Sequence, residues 1–209
     1  MKKSLFLVLL LIGSALTAFA QPELRFGIDA GVNLSRIKSY DFKSITAYRV
    51  GGKVEYILPM TKVNAIYLTS GLYLAKKGAK VNDYRYCKIN SNYIDIPLHI
   101  GFRQRISSDF KLFEEFGPYI SFGLFGKSEL GDFVDAQGVK YEGSKFNTFD
   151  ELKRTDAGVG LKLGVEYNDM IQVSIGMDWG LVRVMKQSEI LNLSKGQNYS
   201  AYLTVGYVF

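Results

Sequence analysis

The sequence has 209 residues, of which 47% are hydrophobic and 14% aromatic, and it contains 21 glycines and 4 prolines. Because no low-complexity stretch or linker divides it, this length and composition predict a single domain. The formal charge of +6, which includes Lys2 and Lys3, is too small to indicate nucleic-acid binding. The single cysteine, Cys87, excludes an intramolecular disulfide framework.

Residues 1–20 have the pattern of a cleaved secretory signal. Lys2 and Lys3 precede the apolar run Leu5–Ile12, and Ala18-Phe19-Ala20 supplies a small-residue cleavage site. Residues 21–209 would then form the mature domain. No cysteine stands at the cleavage point, which argues against a lipid-anchored protein, and no later apolar run reaches the ~20 residues that a spanning helix needs. We therefore expect export to the periplasm or outer membrane of a Gram-negative bacterium.

Eight segments of the mature chain alternate with the period of two that is typical of β-strands. They are Arg25–Ser35, Ala47–Leu58, Ala65–Lys76, Asn92–Arg105, Phe110–Phe125, Thr155–Tyr167, Met170–Val184 and Asn198–Phe209. The connections 59–64, 106–109 and 168–169 are short, whereas 36–46, 77–91, 126–154 and 185–197 are long. Short periplasmic turns and long external loops characterise bacterial outer-membrane barrels. The even strand number predicts that both termini are periplasmic.

The composition of the two strand faces separates a membrane barrel from a soluble lipocalin-type barrel, which would alternate with its apolar side inside. One face mixes glycines with charges of both signs, which suits the crowded interior of a small barrel. The other face, for example Ile94, Ile96, Leu98 and Ile100, is apolar and suits lipid. The last strand ends on Phe209, which would close the cylinder at the membrane interface. The predicted fold is therefore all-β, a membrane-spanning antiparallel up-and-down barrel of eight strands that follows a cleaved signal peptide.

Charged residues with inward parity are expected to interlock as a structural plug, because an unpaired buried charge is costly. They are Asp29, Glu55, Asp95, Glu115, Asp156, Glu166 and Asp178, with Arg49, Lys53, Arg103 and Lys162. A proton or ion path is the functional alternative. His99, the sole histidine, shares this parity and is interpreted as a lumen hydrogen-bonding residue, because no substrate reaches a filled interior. The sequence therefore predicts no catalytic, cofactor-binding or metal-binding residues.

The long loops carry the remaining candidates for function. A basic rim, either solvated or bound to lipopolysaccharide phosphates, is predicted from Lys76, Lys77, Lys80, Arg85 and Lys88 with Arg36 and Lys38. Cys87 is expected to be an exposed thiol of this rim with no specific role, and pairing with a partner or a modification is the alternative. In the longest loop, Gly126–Arg154, a capping box at Thr148-Phe149-Asp150-Glu151 predicts a short helix through Lys153. Phe149 and Leu152 of that helix are expected to fold over the barrel mouth.

Two prolines conflict with regular strand pairing. Pro97 and Pro118 fall inside the fourth and fifth predicted strands, where each removes a backbone donor from the ladder. The two strands are hairpin neighbours, so the missing donors are expected to lie close together. We predict a shared bulge or kink at this place.

The segments around these prolines, Tyr93-Ile94-Asp95-Ile96-Pro97 and Gly117-Pro118-Tyr119, resemble paired signatures of the PorT-like outer-membrane β-barrel proteins of Bacteroidetes. Asp156-Ala157-Gly158 and the closing Val205-Gly206-Tyr207-Val208-Phe209 are similar to that family too. The resemblance covers essentially the whole mature chain. It implies an outer-membrane barrel domain. Because the namesake acts in the gliding-associated type IX secretion system, it also implies an accessory role in protein secretion.

Three classes of function follow from these predictions. A non-enzymatic outer-membrane protein with a structural or interaction role through its external loops is favoured, and an accessory component of a type IX secretion system is the alternative. A lipid-modifying barrel enzyme ranks last, since His99 has the wrong depth and the wrong face. The expected partners are outer-membrane lipid, lipopolysaccharide, the barrel-assembly machinery during insertion and an envelope protein. Neither a cofactor nor nucleic acid is expected.

Overall fold

The structure is a computed structural model, and it describes residues 23–38, 43–58, 64–82, 86–134, 140–186 and 196–209. The predicted signal peptide and most of the predicted 59–64 turn lie outside these ranges. The strands are β1 (Glu23–Ile37), β2 (Ile45–Leu58), β3 (Asn64–Asn82), β4 (Tyr86–Arg105), β5 (Phe110–Leu130), β6 (Phe133–Val134), β7 (Lys140–Tyr141), β8 (Ser144–Asn147), β9 (Thr155–Tyr167), β10 (Ile171–Gly180) and β11 (Asn198–Val208), with one short helix, α1 (Thr148–Glu151). Within the described ranges, no helix is long and apolar enough to cross a membrane.

Eight of these strands form a closed antiparallel barrel. The strands β1 to β5, β9, β10 and β11 pair in that order, and β11 pairs back with β1 from Gly27↔Val208 to Ile37↔Asn198. Phe26 and Phe209 exchange backbone hydrogen bonds of 3.1 and 2.8 Å beyond the last paired residues. The predicted barrel architecture and the closing role of the last strand are confirmed. The short strands β6, β7 and β8 belong to the β5–β9 connection, where β8 pairs with the end of β5.

The two faces of the barrel wall differ as the alternation predicts. On β4, Leu98 and Ile100 are 60% and 62% exposed on the outer face, whereas Asp95 and His99 on the inner face are 1% and 3% exposed. Apolar side chains thus cover the outside and polar ones fill the lumen, which is the arrangement required when lipid surrounds the wall.

The barrel wall is taller than predicted on one side. The strands β3 and β4 remain paired as far as Asn82↔Tyr86, so the prediction of a loop at 77–91 is wrong. The strand β5 likewise continues to Leu130, whereas β10 ends at Gly180 instead of Val184. The prediction relied on apolar alternation, which stops where lipid contact stops, while the backbone ladder continues as a polar hairpin. We call this end of the barrel the long-loop end and the opposite one the short-turn end.

Lumen glycines make room for large aromatic side chains. A Cβ atom on Gly101 would lie 2.2 Å from the Tyr67 ring, and one on Gly176 would lie 2.4 Å from the Tyr202 ring. At the short-turn end, Asn168 and Asp169 have φ values of 50° and 59° between β9 and β10. Two successive left-handed residues are typical of a type I′ hairpin turn, and they confirm the short 168–169 connection.

The two prolines interrupt the ladders without shifting their register. The β4–β5 ladder lacks paired residues between Pro97↔Tyr119 and Ile100↔Phe116, and β3–β4 has a similar gap beside Pro97. Pro97 keeps one contact there, since the Ser70 Oγ donates to its carbonyl oxygen at 2.8 Å. Of the predicted shared bulge or kink, the bulge is wrong, because the register shift of β4–β5 falls at Asn92/Tyr93. The two prolines do meet at one gap of this ladder, as expected for neighbouring missing donors. Each of these gaps is two pairs long, and the register is the same on both sides of it.

Candidate functional site

The lumen at the short-turn end is filled by a cluster of ion pairs. Arg25 Nη1 lies 3.5 Å from a Glu55 oxygen and 3.2 Å from a Glu166 oxygen, and Arg103 Nη2 lies 2.5 Å from Glu55 Oε2. Lys53 Nζ adds a 3.0 Å contact to the other Glu55 oxygen. The strands β1, β2, β4 and β9 supply these residues, whose side chains are all at least nine-tenths buried. The cluster therefore links strands on different sides of the barrel.

Two residues, Lys111 and Asp169, border this cluster at the short-turn end. The Lys111 ammonium contacts the Asp169 carboxylate, whose side chain is 57% exposed. Partial burial acts to raise the pKa of Asp169, but the hydrogen bond and the positive charge of Lys111 lower it below its ordinary value. Asp169 is therefore expected to stay ionised at neutral pH.

The middle of the lumen holds His99 beside a hydrogen-bonded network. His99 Nδ1 lies 3.9 Å from Glu115 Oε2, Tyr67 donates to Glu115 at 3.0 Å, and Tyr73 donates to Asp29 at 2.8 Å. The space left beside these groups is a cavity of about 10 Å³, which is room for about one water molecule. His99 therefore lies in the lumen as its parity predicts, but the 3.9 Å contact is too long for a hydrogen bond, and its Nε2 has no hydrogen-bond partner among the described residues.

Toward the long-loop end, two cations pair with three carboxylates. Arg49 Nη1 lies 2.7 Å from Asp95 and 3.3 Å from Asp178, while Lys77 Nζ lies 2.8 Å from Asp95 and 3.7 Å from Asp156. Lys77 is 1% exposed, so its predicted place on the basic rim is wrong. Its parity on β3, two residues after the inward-facing Ala75, was the signal for this position.

All the charged residues that the sequence assigned to the lumen are buried there, but two lumen cations were missed. Arg25 and Lys77 are 8% and 1% exposed. They bring six buried cations against seven buried carboxylates. The prediction of a plug of ion pairs is therefore consistent with the structure. Among the described residues, no group of His, Cys, Asp and Glu side chains could hold a metal ion.

An apolar cap lies above the polar lumen at the long-loop end. Its buried side chains come from several barrel strands and from the β5–β9 and β10–β11 connections: Ile37, Ala79, Cys87, Ile89, Tyr93, Phe149, Leu152 and Met185. The Phe149 ring meets the Tyr93 ring edge-on, with 5.7 Å between centroids. Phe149 and Leu152 thus cover the mouth as predicted. Cys87 is 4% exposed within the cap, so the prediction of an exposed thiol is wrong.

Residues 144–154, which we call the lid, carry Phe149 and Leu152 and are fixed at several points. The helix α1 begins after Asn147, whose side chain accepts from Phe149 N at 3.0 Å, one residue earlier than the predicted capping box. Thr148 Oγ1 donates to the Asn90 carbonyl at 2.7 Å, and Arg154 Nη1 donates to the Leu124 carbonyl at 2.8 Å. Lys186 Nζ donates to the Phe149 carbonyl at 2.7 Å. The lid is therefore attached to the barrel by hydrogen bonds at several points, and it closes the mouth.

Beside the lid, on the outside of the wall, lies a pocket of about 730 Å³ that we call the rim pocket. It is lined by Lys76, Asn90, Asn92, Leu124, Phe125, Gly126, Lys127, Glu129, Lys145, Phe146, Asn147 and Arg154. Four of these residues are cations, and Glu129 pairs with Lys145 at 3.5 Å. The pocket combines charged, amide and aromatic groups, a composition suited to binding a polar ligand.

The other members of the predicted basic rim are dispersed. Arg36 and Lys38 are exposed at the end of β1 and lie over the Tyr199 ring, 5.8 and 5.4 Å from its centroid. Lys80 and Lys88 are half-buried on the β3–β4 hairpin, and Arg85 lies outside the described residues. Of the predicted set, Lys76 lines the rim pocket, while Lys127, Lys145 and Arg154 were not recognised as its partners.

A closed eight-stranded barrel with an apolar outer wall and an ion-paired lumen is the architecture of an outer-membrane β-barrel protein. The chain belongs to the family described as outer membrane protein beta-barrel domain, whose model matches residues 19–186. The family and the fold together assign the protein to the outer membrane. No curated protein matches the sequence.

Several solved outer-membrane proteins are similar to this chain at low sequence identity. The attachment invasion locus protein Ail of Yersinia pestis is 14% identical with a TM-score of 0.42, covering 90% of this chain and 99% of its own. OprG from Pseudomonas aeruginosa is 12% identical with a TM-score of 0.45, covering 91% and 97%. The outer membrane enzyme PagL is 12% identical with a TM-score of 0.45, covering 88% and 98%.

Proposed function

We propose that this protein is a non-enzymatic component of the outer membrane that acts through the surface of its long-loop end, which faces the outside of the cell. Both termini then lie in the periplasm. The observation that carries this proposal is the lid, which covers the mouth with Phe149 and Leu152 while an ion-paired network fills the lumen beneath it. Because the interior is occupied, the surfaces that this end offers to a partner are the lid, the connection 131–143 that precedes it and the β3–β5 extensions.

The position of His99 supports a non-enzymatic role. A barrel enzyme acting on lipid needs its catalytic groups where the acyl chains or headgroups reach them, on the outer wall or at its rim. The only histidine of the chain lies in the lumen at 3% exposure, next to Glu115. No lipid substrate contacts it there.

Exchange of the loop beyond the lid tests the interaction role. Residues 131–143 connect Leu130 with Ser144, the last pair between β5 and β8, so a short Gly-Ser linker can replace them without touching the lid. We expect the shortened protein to insert normally and to lose its crosslinked envelope partner in intact cells. Retention of every crosslink would contradict an interaction through this loop.

The orientation is tested separately. A cysteine introduced at Ser144 in a Cys87→Ser background should react with an impermeant maleimide on intact cells, whereas one introduced at Ser108 should react only after the outer membrane is opened. The reverse pattern would place the long-loop end in the periplasm.

The resemblance to PorT-like proteins supports the second candidate, an accessory role in type IX secretion. Its signature residues lie side by side in the wall, where Pro97 pairs with Tyr119 and the Tyr119 hydroxyl donates to Asp156 at 3.4 Å. These residues therefore account for the barrel structure, and a secretion partner would dock elsewhere. The exposed turn at 106–109, where Ile106 is 64% exposed, is the candidate surface.

Replacement of residues 106–109 by a two-residue type I′ turn distinguishes the two candidates. A secretion accessory should lose protein export with this turn variant and tolerate the exchange of residues 131–143. The surface interaction role predicts the opposite pattern of loss.

A further inference from the structure

The rim pocket lies where the apolar wall gives way to the polar extension of β3, β4 and β5. In the row nearer the barrel centre, Leu74, Ile94 and Phe122 are paired neighbours on the lipid-facing side. In the next row toward the long-loop end, Lys76, Asn92 and Phe125 are paired neighbours. The change from three apolar side chains to a cation, an amide and an aromatic ring is typical of the boundary between hydrocarbon and headgroups.

A bulge in β5 builds the charged side of this pocket. The register shift at Asn92/Tyr93 places Leu124 and Phe125 in succession on the outside, at 40% and 60% exposure. Beyond the bulge the parity is inverted, so Lys127 is exposed and Ser128 is buried at 1%. Without the extra residue, Lys127 would face the lumen. The bulge therefore turns a cation outward at the membrane boundary, which is a recognised use of bulges.

The pocket carries a surplus of positive charge. Lys76, Lys127, Lys145 and Arg154 face one carboxylate, Glu129, which pairs with Lys145. Arg154 is held in place, since Nη1 donates to two carbonyl oxygens of β5 and the guanidinium lies 4.5 Å from the Phe149 ring centroid. Three net positive charges at headgroup level favour a ligand with more than one phosphate.

The remaining walls of the pocket suit a sugar ring. Phe125 and Phe146 offer aromatic faces, and Asn90 and Asn147 offer amides. Its volume of about 730 Å³ falls within the range of roughly 300–1,000 Å³ for ligand sites. A phosphorylated sugar at the end of acyl chains matches every one of these surfaces, because its chains would lie on the apolar row below.

We propose that the rim pocket binds the phosphorylated disaccharide headgroup of an outer-leaflet glycolipid of the lipid A type. Lys76, Lys127 and Lys145 contact its phosphates, Arg154 contributes a fixed positive charge, and Phe125 packs on a sugar. The inference rests on the proposed orientation of the long-loop end, because this glycolipid belongs to the outer leaflet. Binding of the lipid to the barrel also ties the membrane to the lid through Arg154.

The test uses the mature barrel in phosphatidylcholine nanodiscs, with bound lipid measured by native mass spectrometry. The probes are bisphosphorylated lipid A, enzymatically dephosphorylated lipid A and phosphatidylglycerol. The variant Lys76→Ala/Lys127→Ala/Lys145→Ala should bind bisphosphorylated lipid A roughly 100-fold more weakly than the natural protein, about fivefold for each lysine removed. Glu129→Gln should strengthen binding, because it frees Lys145.

The matched control is Lys43→Ala/Lys140→Ala/Lys153→Ala, which removes the same charge from exposed lysines outside the pocket. It should bind lipid A like the natural protein. Equal losses in the two triple variants would reduce the effect to non-specific attraction and overturn the proposal. Equal binding of dephosphorylated lipid A or phosphatidylglycerol by the natural protein would also overturn it. The nanodisc assay does not depend on orientation, so its failure is distinct from a failure of cell-surface labelling.

Discussion

Arg49 shows how single lumen residues hold this barrel together. Its guanidinium contacts Asp95 and Asp178 and lies between the rings of Tyr73 and Tyr202, 4.5 and 4.6 Å from their centroids. These partners come from β3, β4, β10 and β11. One side chain from β2 thus links four other strands across the lumen. A buried cation between two carboxylates is expected to fix strand register as well as charge balance.

Replacement of Arg49 by methionine should strongly destabilise the barrel, because it leaves two buried carboxylates facing each other. We expect a loss of about 3–5 kcal/mol in the free energy of unfolding, measured by urea titration in lipid vesicles. Arg49→Met/Asp178→Asn should recover part of that loss, since Asp178 no longer carries an uncompensated charge. A stability within about 0.5 kcal/mol of the natural protein for the single variant would contradict this role.

The lumen has no room for a side chain larger than that of glycine at position 101. A methyl group there would meet the ring of Tyr67, which is fully buried and donates to Glu115, so the ring has nowhere to move. Gly101→Ala should therefore cost about 1–3 kcal/mol, measured in the same unfolding assay. The matched control is Gly52→Ala, where the nearest atom to the added methyl is 3.8 Å away. Equal stability of the two variants would show that the lumen has slack at Tyr67.

At the scale of elements, the alternation of polar and apolar residues predicted the strands and their inward positions. It did not predict the features that depend on contacts with distant segments. The eight barrel strands and the inward positions of His99 and the charged residues follow from alternation. The outward turn of Lys127 depends on a bulge between β4 and β5, and the burial of Cys87 depends on the apolar cap that it shares with the lid residues Phe149 and Leu152. Neither can be derived from local spacing, because each is created by a segment far away in the chain.

The excess of predicted lumen carboxylates was nevertheless a usable signal. Seven acids against four cations implied that further cations point inward, and Arg25 and Lys77 have the required parity on β1 and β3. Lys111, at the short-turn end, adds a third cation near Glu166, with its Nζ 3.8 Å from Glu166 Oε1. Charge balance within a filled lumen thus helps to identify buried lysines and arginines, which their polarity alone would place on the surface.

The lid is the element whose removal is easiest to observe, because the single cysteine is buried in the apolar cap that Phe149 and Leu152 help to form. Phe149→Ala should open the apolar cap and raise the rate of maleimide labelling of Cys87 in the folded barrel by about tenfold or more. Phe125→Ala, which removes an exposed ring from the outer wall, is the control and should leave the rate unchanged. Fast labelling of Cys87 in the natural protein would show that the lid does not seal the mouth.

At the scale of the whole molecule, the barrel is closed at two independent levels. The apolar cap covers the long-loop end, and below it the ion-paired network leaves a cavity of about 10 Å³. An eight-stranded barrel is only wide enough to be filled by side chains. Opening the cap therefore exposes a second barrier of buried salt bridges, and the lid and the lumen make separate contributions to closure.

This double closure predicts that neither the natural protein nor the lid variant Phe149→Ala conducts ions. In planar bilayers both should give no steady porin-sized current. The ion pairs still cross and fill the lumen when the mouth is open. Both should still migrate differently on gels before and after boiling, which verifies that folded barrels were measured. Steady current in Phe149→Ala alone would mean that the lid is the sole barrier, and steady current in both would mean that the ion pairs line a water-filled path.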